Sequence, residues 1–158
     1  EEEVEETGDT FAANAILKAE AVRNATGFAA LADDSGLMVD ALEGAPGVYS
    51  ARFAGTHGDD QANNDLLIEK LKDVSAPRAA QFVSSLALAH PFLPTRLFEG
   101  ICPGKITFAP RGDHGFGYDP YFEYENGLTF AEMTEKEKSS VSHRARAMQK
   151  LLEALESE

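Results

Sequence analysis

Phe28-Ala29-Ala30-Leu31-Ala32-Asp33-Asp34-Ser35-Gly36 is the stretch on which the reading of this chain turns. Five apolar residues run unbroken from Phe28 to Ala32, the length and composition of a buried strand. Gly27 bounds the run on one side and two adjacent carboxylates bound it on the other. A strand ending at Asp33-Asp34 puts acidic side chains at its carboxyl end, where open α/β sheets hold ligands. Two such carboxylates side by side can hold Mg²⁺, which prefers oxygen ligands, and can accept a proton from water. The same residues also fit a polar turn in which Asp33 or Asp34 caps local backbone. Spacing alone leaves both readings open.

Upstream, Thr10 reads as the N-cap of a helix carrying Phe11, Ala15, Ala19 and Val22 at helical spacing, stopped at Gly27. Downstream, Leu37 to Leu42 reads as a second strand, followed by a turn at residues 44–47 around Pro46. Asp59 or Asp60 opens a helix running to about Lys72, with Leu66, Leu67 and Leu71 as its apolar stripe. Residues 79–90 read as a long strand, and residues 96–108 as two strands joined around Pro103-Gly104. Residues 111–119 are too rich in glycine and charge for regular structure, and Pro120 to Tyr124 is a short strand. A closing helix starts at Thr134 with Glu137 in a capping-box pattern. Val141, Ala145, Met148, Leu152 and Leu155 supply its apolar face. This alternation predicts one α/β (mixed α+β) domain over residues 1–158, with a central mixed sheet flanked by helices.

Composition narrows the function. Twenty-seven acidic residues against fourteen basic ones give a net charge of −13, which argues against nucleic acid as a partner. No apolar stretch reaches bilayer length, so no membrane span is expected. The single cysteine, Cys102, forms no internal disulfide and is expected to pack as a small hydrophobe. That points to a reducing, cytoplasmic compartment.

Two further segments carry chemistry. Gly112-Asp113-His114-Gly115-Phe116-Gly117-Tyr118-Asp119-Pro120 offers glycines that let backbone approach a ligand and an aromatic ring to stack on a base. It is also readable as an ordinary glycine-rich loop. Lys138 with Ser142-His143-Arg144 places cations near a helix start, which suits phosphate, or forms a solvated helix face. Lys18 on the first helix carries the same two readings, and Arg52 and Arg111 are cationic contacts or surface charges. In the acidic run at residues 1–6, Glu6 beside Thr7-Gly8 is the candidate metal ligand.

Together these segments resemble the inosine triphosphate pyrophosphatase family, also called the XTP/dITP diphosphatases. The matching pieces are the segments 6–11 (Glu-Thr-Gly-Asp-Thr-Phe), 14–19 (Asn-Ala-Ile-Leu-Lys-Ala), 32–37, 47–53, 115–120, 131–133 and 142–145, in the family's order. The resemblance implies an elongated two-lobed fold with a cleft between the lobes. It also implies a homodimer, Mg²⁺ dependence, and hydrolysis of ITP, dITP and XTP to the monophosphate and pyrophosphate. By motif position it makes Asp34 the general base, and Glu6 and Asp34 the metal site with Asp33 close by. Ser35, Lys18 and Lys138 become substrate contacts, mainly to phosphates. Phe116, Gly117, Tyr118 and Asp119 line the base pocket, and His143 and Arg144 read the purine's 6-keto edge.

The pattern departs from the family at the start. The family opens with a strand running into a Ser/Thr-Gly-Asn-x-x-Lys loop that cradles the triphosphate, and no such loop occurs here. The expectation is therefore a family member lacking its first strand, phosphate loop and helix. The alternative is a non-catalytic nucleotide-binding or dimerising protein on the same scaffold. His114 also departs from the small residue common in the family, and Glu125-Asn126-Gly127 forms a short loop. A Maf-like pyrophosphatase is disfavoured by Ser142-His143-Arg144 and by the segment 32–36. A phosphoaspartate hydrolase is disfavoured by the missing Asp-x-Asp spacing.

Overall fold

The computed structural model describes residues 10–157. Thr10 accepts a hydrogen bond from the amide of Ala13 and starts α1 (Phe11–Thr26), which ends at the left-handed Gly27. Asp59 caps α2 (Asp60–Leu71) in the same way through the amide of Ala62. Between and after these helices lie four strands: β1 (Ala30–Val39), β2 (Ala79–Ala89), β3 (Arg96–Ile106) and β4 (Phe122–Glu123). They form one sheet in the order β1-β2-β3-β4.

Every pairing in this sheet is antiparallel, which corrects the expected mixed sheet for the described residues. Six residues link β2 to β3, far fewer than a parallel crossover needs, so that pair has to be antiparallel.

Three further corrections concern element boundaries. Residues 28–32 and 37–42 are not two strands. One ten-residue strand, β1, runs through Asp33 to Gly36, Phe28 is left exposed outside it, and Asp40–Leu42 form a 3₁₀ turn. Nor do residues 96–108 split at Pro103. β3 continues through it, because among the described residues this part of the strand pairs on one side only, with β2. The closing helix is two helices. Thr134 and Glu137 form the expected capping box at the start of α3 (Glu135–Val141). Ser142 then breaks the helical path and caps α4 (His143–Glu156) through the amide of Ala145.

The long strands carry separate cores toward their two ends. At one end α1 and α4 cover opposite faces of the sheet. Ala87 and Ala89 pack with Ala15 and Ala19, while Leu86 packs with Ala147 and Leu151. At the other end Leu37, Val39, Phe82, Cys102, Ile106 and Phe122 pack with Leu67 and Leu71 of α2 and with Phe130 and Met133. Phe82 centres this larger core, with ring centroids 4.5 Å from Phe122 and 5.5 Å from Phe130. Each fully buried Leu or Phe of this kind contributes roughly 1.5–3 kcal/mol. Cys102 is fully buried, as its small apolar role requires, and burial pushes its thiol up to about 11. Among the described residues no helix is long and apolar enough to cross a membrane.

Candidate active site

The unbroken register of β1 against β2 fixes which way each polar residue of 33–36 faces. Side chains alternate along a strand. Asp34 lies opposite Ser85 and shares the face of Ala87, which α1 covers. Asp33 and Ser35 lie opposite Leu86 and Ser84 and share the face that α4 covers. The two neighbouring carboxylates therefore do not form a pair, contrary to the side-by-side arrangement read from the sequence. They also lie within a strand, not at its end.

On the α1 face, Asn14 and Lys18 stand one helical turn apart and converge on Asp34. Asn14 is buried, and its Nδ2 donates to Asp34 Oδ2 at 3.2 Å. Lys18 Nζ lies 3.7 Å from Asp34 Oδ1. Only 14% of the Asp34 side chain is exposed. A largely buried carboxylate with one oxygen on an amide and the other near an ammonium has a fixed orientation.

On the α4 face, Arg144 reaches down to β1. Its Nε donates to Asp33 Oδ2 at 3.3 Å and its Nη2 to Ser35 Oγ at 3.0 Å. Two glycines let neighbouring elements seat closely on the sheet. A Cβ on Gly100 of β3 would sit 2.1 Å from the carbonyl oxygen of His143 and 2.4 Å from the amide of Ala147, so the first turn of α4 rests directly on the strand. A Cβ on Gly36 would sit 2.5 Å from Ser50 Oγ, so the 3₁₀ turn Gly47–Arg52 presses against the edge of β1. Ser50 Oγ accepts from the amide of Leu37 at 2.9 Å and donates to the carbonyl of Gly47 at 2.6 Å.

These elements enclose a pocket of about 190 Å³. Its walls include Ser35, Phe116, Gly117, Tyr118, Asp119, Lys138, His143 and Arg144, eight of the candidate residues drawn from four separate stretches of sequence. Pockets that enclose a whole drug-sized ligand run to roughly 300–1,000 Å³, so this one suits a flat ring system and not an entire nucleotide. Phe116 is 61% exposed at its mouth, with Lys138 Nζ 5.0 Å and the Arg144 guanidinium 5.7 Å from the ring centroid. Lys138 Nζ also donates to Asp119 Oδ2 at 2.5 Å. Lys138 thus stands at this pocket, on the far side of the sheet from Lys18 and Asp34.

Burial sets the electrostatics of the floor. His143 stacks on Phe82 with centroids 4.8 Å apart. Burial, helped by the charges of Arg144 and Lys138, lowers its imidazole to about 3, so the ring is neutral near pH 7. Its Nδ1 is buried and, among the described residues, has no hydrogen-bond partner. Burial raises the Asp119 carboxyl above its ordinary value, against the opposing pull of the Lys138 ammonium and the Phe116 amide. Burial likewise raises the Tyr118 hydroxyl, which donates to the carbonyl of Ser50 at 2.5 Å and so acts as a wall strut.

Ser50, Phe82 and Asp60 of the pocket wall, and Asn64 behind it, escape the sequence reading. Ser50 and Phe82 line the cavity from a turn and from the middle of β2. Asp60 and Asn64, one turn apart at the start of α2, grip Gly117. Asp60 Oδ2 accepts from its amide and Asn64 Nδ2 donates to its carbonyl, both at 2.8 Å. The only local signal was the Asp59-Asp60 helix start. Of the remaining candidates, Glu6 lies outside the described residues. The cationic alternatives Arg52 and Arg111 are occupied elsewhere. Arg52 lies over the ring of Tyr49, and Arg111 pairs with Glu123 and Glu132. Among the described residues no three His, Cys, Asp or Glu side chains cluster as a metal cage.

Comparison with known proteins places the chain in a family. The profile of the Ham1 family matches residues 1–154. The chain belongs to the Ham1 family. Its Ham1 relatives include the dITP/XTP pyrophosphatases of Streptomyces coelicolor and Bacillus subtilis. The first is 51% identical over 152 residues, covering 95% of this chain and 76% of the relative. The second is 50% identical over 157 residues, covering 98% and 79%. Among solved structures, the Staphylococcus aureus Ham1 protein superposes with a TM-score of 0.95 at 43% identity, covering 99% of this chain and 81% of that one. The nucleoside-triphosphatase / dITP/XTP pyrophosphatase of Mycobacterium abscessus gives 0.84 at 50% identity, covering 98% and 80%. The mixed helix-and-strand architecture and the family resemblance read from the sequence agree with these matches.

Proposed function

We propose that this chain hydrolyses non-canonical purine nucleoside triphosphates, such as ITP, dITP and XTP, to the monophosphate and pyrophosphate. The observation that carries the reading is a pocket sized for one ring system, walled by a neutral His143 and Arg144 with Phe116 at its mouth. His143 and Arg144 supply donors for a 6-keto oxygen, and Phe116 offers a face for stacking. Adenine carries an amino group at that position and would leave a donor unpaired, which rejects it.

The chemistry belongs on the other face. β1 is an edge strand among the described residues, and Gly36 and Ser50 carry the pocket wall around that edge. A nucleotide with its base on the α4 face reaches Asp34 by passing over this edge. Asp34 takes a proton from water as the water oxygen bonds to the α-phosphorus and the bond from that phosphorus to the pyrophosphate oxygen breaks. Lys18 offsets charge on the phosphates. Ser35 lies where the α-phosphate or ribose crosses.

The carboxylate of Asp34 also suits Mg²⁺, which is held through one or two carboxylates together with substrate phosphate oxygens. Asp34 supplies one carboxylate, and Glu6 is the proposed second. When bound, the ion polarises the phosphates and stabilises the leaving pyrophosphate. A cytoplasmic homodimer completes the proposal, and the buried free thiol of Cys102 is at home in a reducing compartment. Product analysis tests the reaction type. Monophosphate plus pyrophosphate from ITP supports attack at the α-phosphorus, and diphosphate plus orthophosphate refutes it.

A further inference from the structure

Asp33 sits beside the proposed base and metal ligand Asp34, yet its side chain belongs to the other side of the molecule. We infer that Asp33 is a positioning residue for base recognition, holding Arg144 over the pocket, and is no part of the metal or water-activating machinery. The inference rests on the proposed role of the pocket in binding a purine.

Four observations carry it. The register leaves no bulge between Ala30 and Val39, so Asp33 and Asp34 face opposite ways. Asp33 Oδ2 accepts from Arg144 Nε at 3.3 Å. Ser35, two residues on and on the same face, takes the other arm of the same guanidinium at 3.0 Å. Arg144 itself lines the pocket beside His143 and lies over Phe116. The spacing of Asp33 and Ser35 is thus matched to the guanidinium fork, whose fixed geometry rewards two anchors at once. About half of the Arg144 side chain is exposed, so without an anchor it would sample many rotamers and lose them again on binding a base. An exposed ion pair of this kind adds little to folding stability. Its value lies in presenting Arg144 already oriented.

The test is calorimetric binding of inosine monophosphate in EDTA to the wild-type chain, Asp33→Asn, Asp33→Glu, Arg144→Gln and the Asp33→Asn/Arg144→Gln double variant. EDTA removes any route through a divalent metal. The expected results are a loss of about three- to fivefold in affinity for Asp33→Asn and partial recovery for Asp33→Glu. Adding Asp33→Asn to Arg144→Gln should cost nothing further, since two residues acting through one contact are not additive. The thermal midpoint of Asp33→Asn should shift by less than about 2 °C. A wild-type chain that binds while Asp33→Asn binds equally well, or whose two substitutions act independently, overturns this inference alone. A wild-type chain that binds no inosine monophosphate overturns the purine pocket and this inference with it.

Discussion

Asp33 and Asp34 are adjacent in sequence but face opposite sides of one sheet, Asp33 meeting Arg144 at 3.3 Å and Asp34 meeting Asn14 at 3.2 Å. In the proposed mechanism the pleat of β1 thereby divides the site into a base-binding side and a proton-accepting side. Substitutions at the two positions should therefore have different kinetic signatures. Asp34→Asn keeps the shape and the neighbours and removes the base. It should lower kcat by about 10²–10⁴-fold, the usual contribution of a positioned general base, with a smaller change in KM. Steady-state pyrophosphate release measures both, and turnover within a factor of two of wild type would remove Asp34 from the mechanism.

The exposed ring of Phe116 at the pocket mouth makes a second prediction. Stacking of an aromatic on a base is worth about 1–3 kcal/mol by alanine substitution. Phe116→Ala should raise KM for ITP by roughly tenfold or more with kcat little changed, and Phe116→Tyr should restore most of it. An unchanged KM would place the base elsewhere.

Gly100 tests how the site is held. The missing methyl group leaves room for the backbone of His143 and Ala147, and nothing flexible is there to yield. Gly100→Ala should destabilise the fold by about 1–3 kcal/mol, the usual cost of overpacking, and should weaken base binding as α4 lifts from β3. Urea denaturation and inosine monophosphate binding read the two effects. A variant as stable as wild type would contradict the close seating of α4.

The buried imidazole of His143 predicts a pH dependence of stability. Its folded value is lowered to about 3 from an ordinary 6.5, so the unfolded chain takes up a proton that the folded chain refuses. The contribution is full above pH 6.5 and is lost as pH falls from 6.5 toward 3. By pH 5 the loss should be about 2 kcal/mol relative to pH 7. Urea melts at pH 7 and pH 5 should show this drop in wild type and a reduced one in His143→Gln. Equal slopes in the two proteins would mean that the imidazole is not buried neutral. The same neutrality should leave the proposed purine recognition by His143 insensitive to pH between about 5 and 8.

Much of the fold was legible because its signals are local. Thr10, Asp59 and Thr134 announce helix starts through side chains that cap nearby amides, and Gly27 announces a stop. The candidate pocket residues were legible as chemical types in short motifs. The direction of each side chain was not. The apolar run 28–32 masks the period-two alternation that continues through Asp33 to Val39, because its residues are apolar on both faces. Ser142 reads as a mid-helix residue until its hydroxyl is seen to cap a second helix. Ser50, Asp60, Asn64 and Phe82 enter the site through contacts with residues far along the chain, such as Asn64 with Gly117, 53 positions on, and no local pattern encodes these.

The central claim is that a keto-reading purine pocket delivers a triphosphate to Asp34. Its most direct test is pyrophosphate release by this chain from ITP and, in separate reactions, from ATP and GTP, in Mg²⁺ and in EDTA. The account predicts release from ITP that far exceeds release from ATP and that disappears in EDTA. Equal turnover of ITP and ATP, or no release from ITP by folded protein in Mg²⁺, would contradict it.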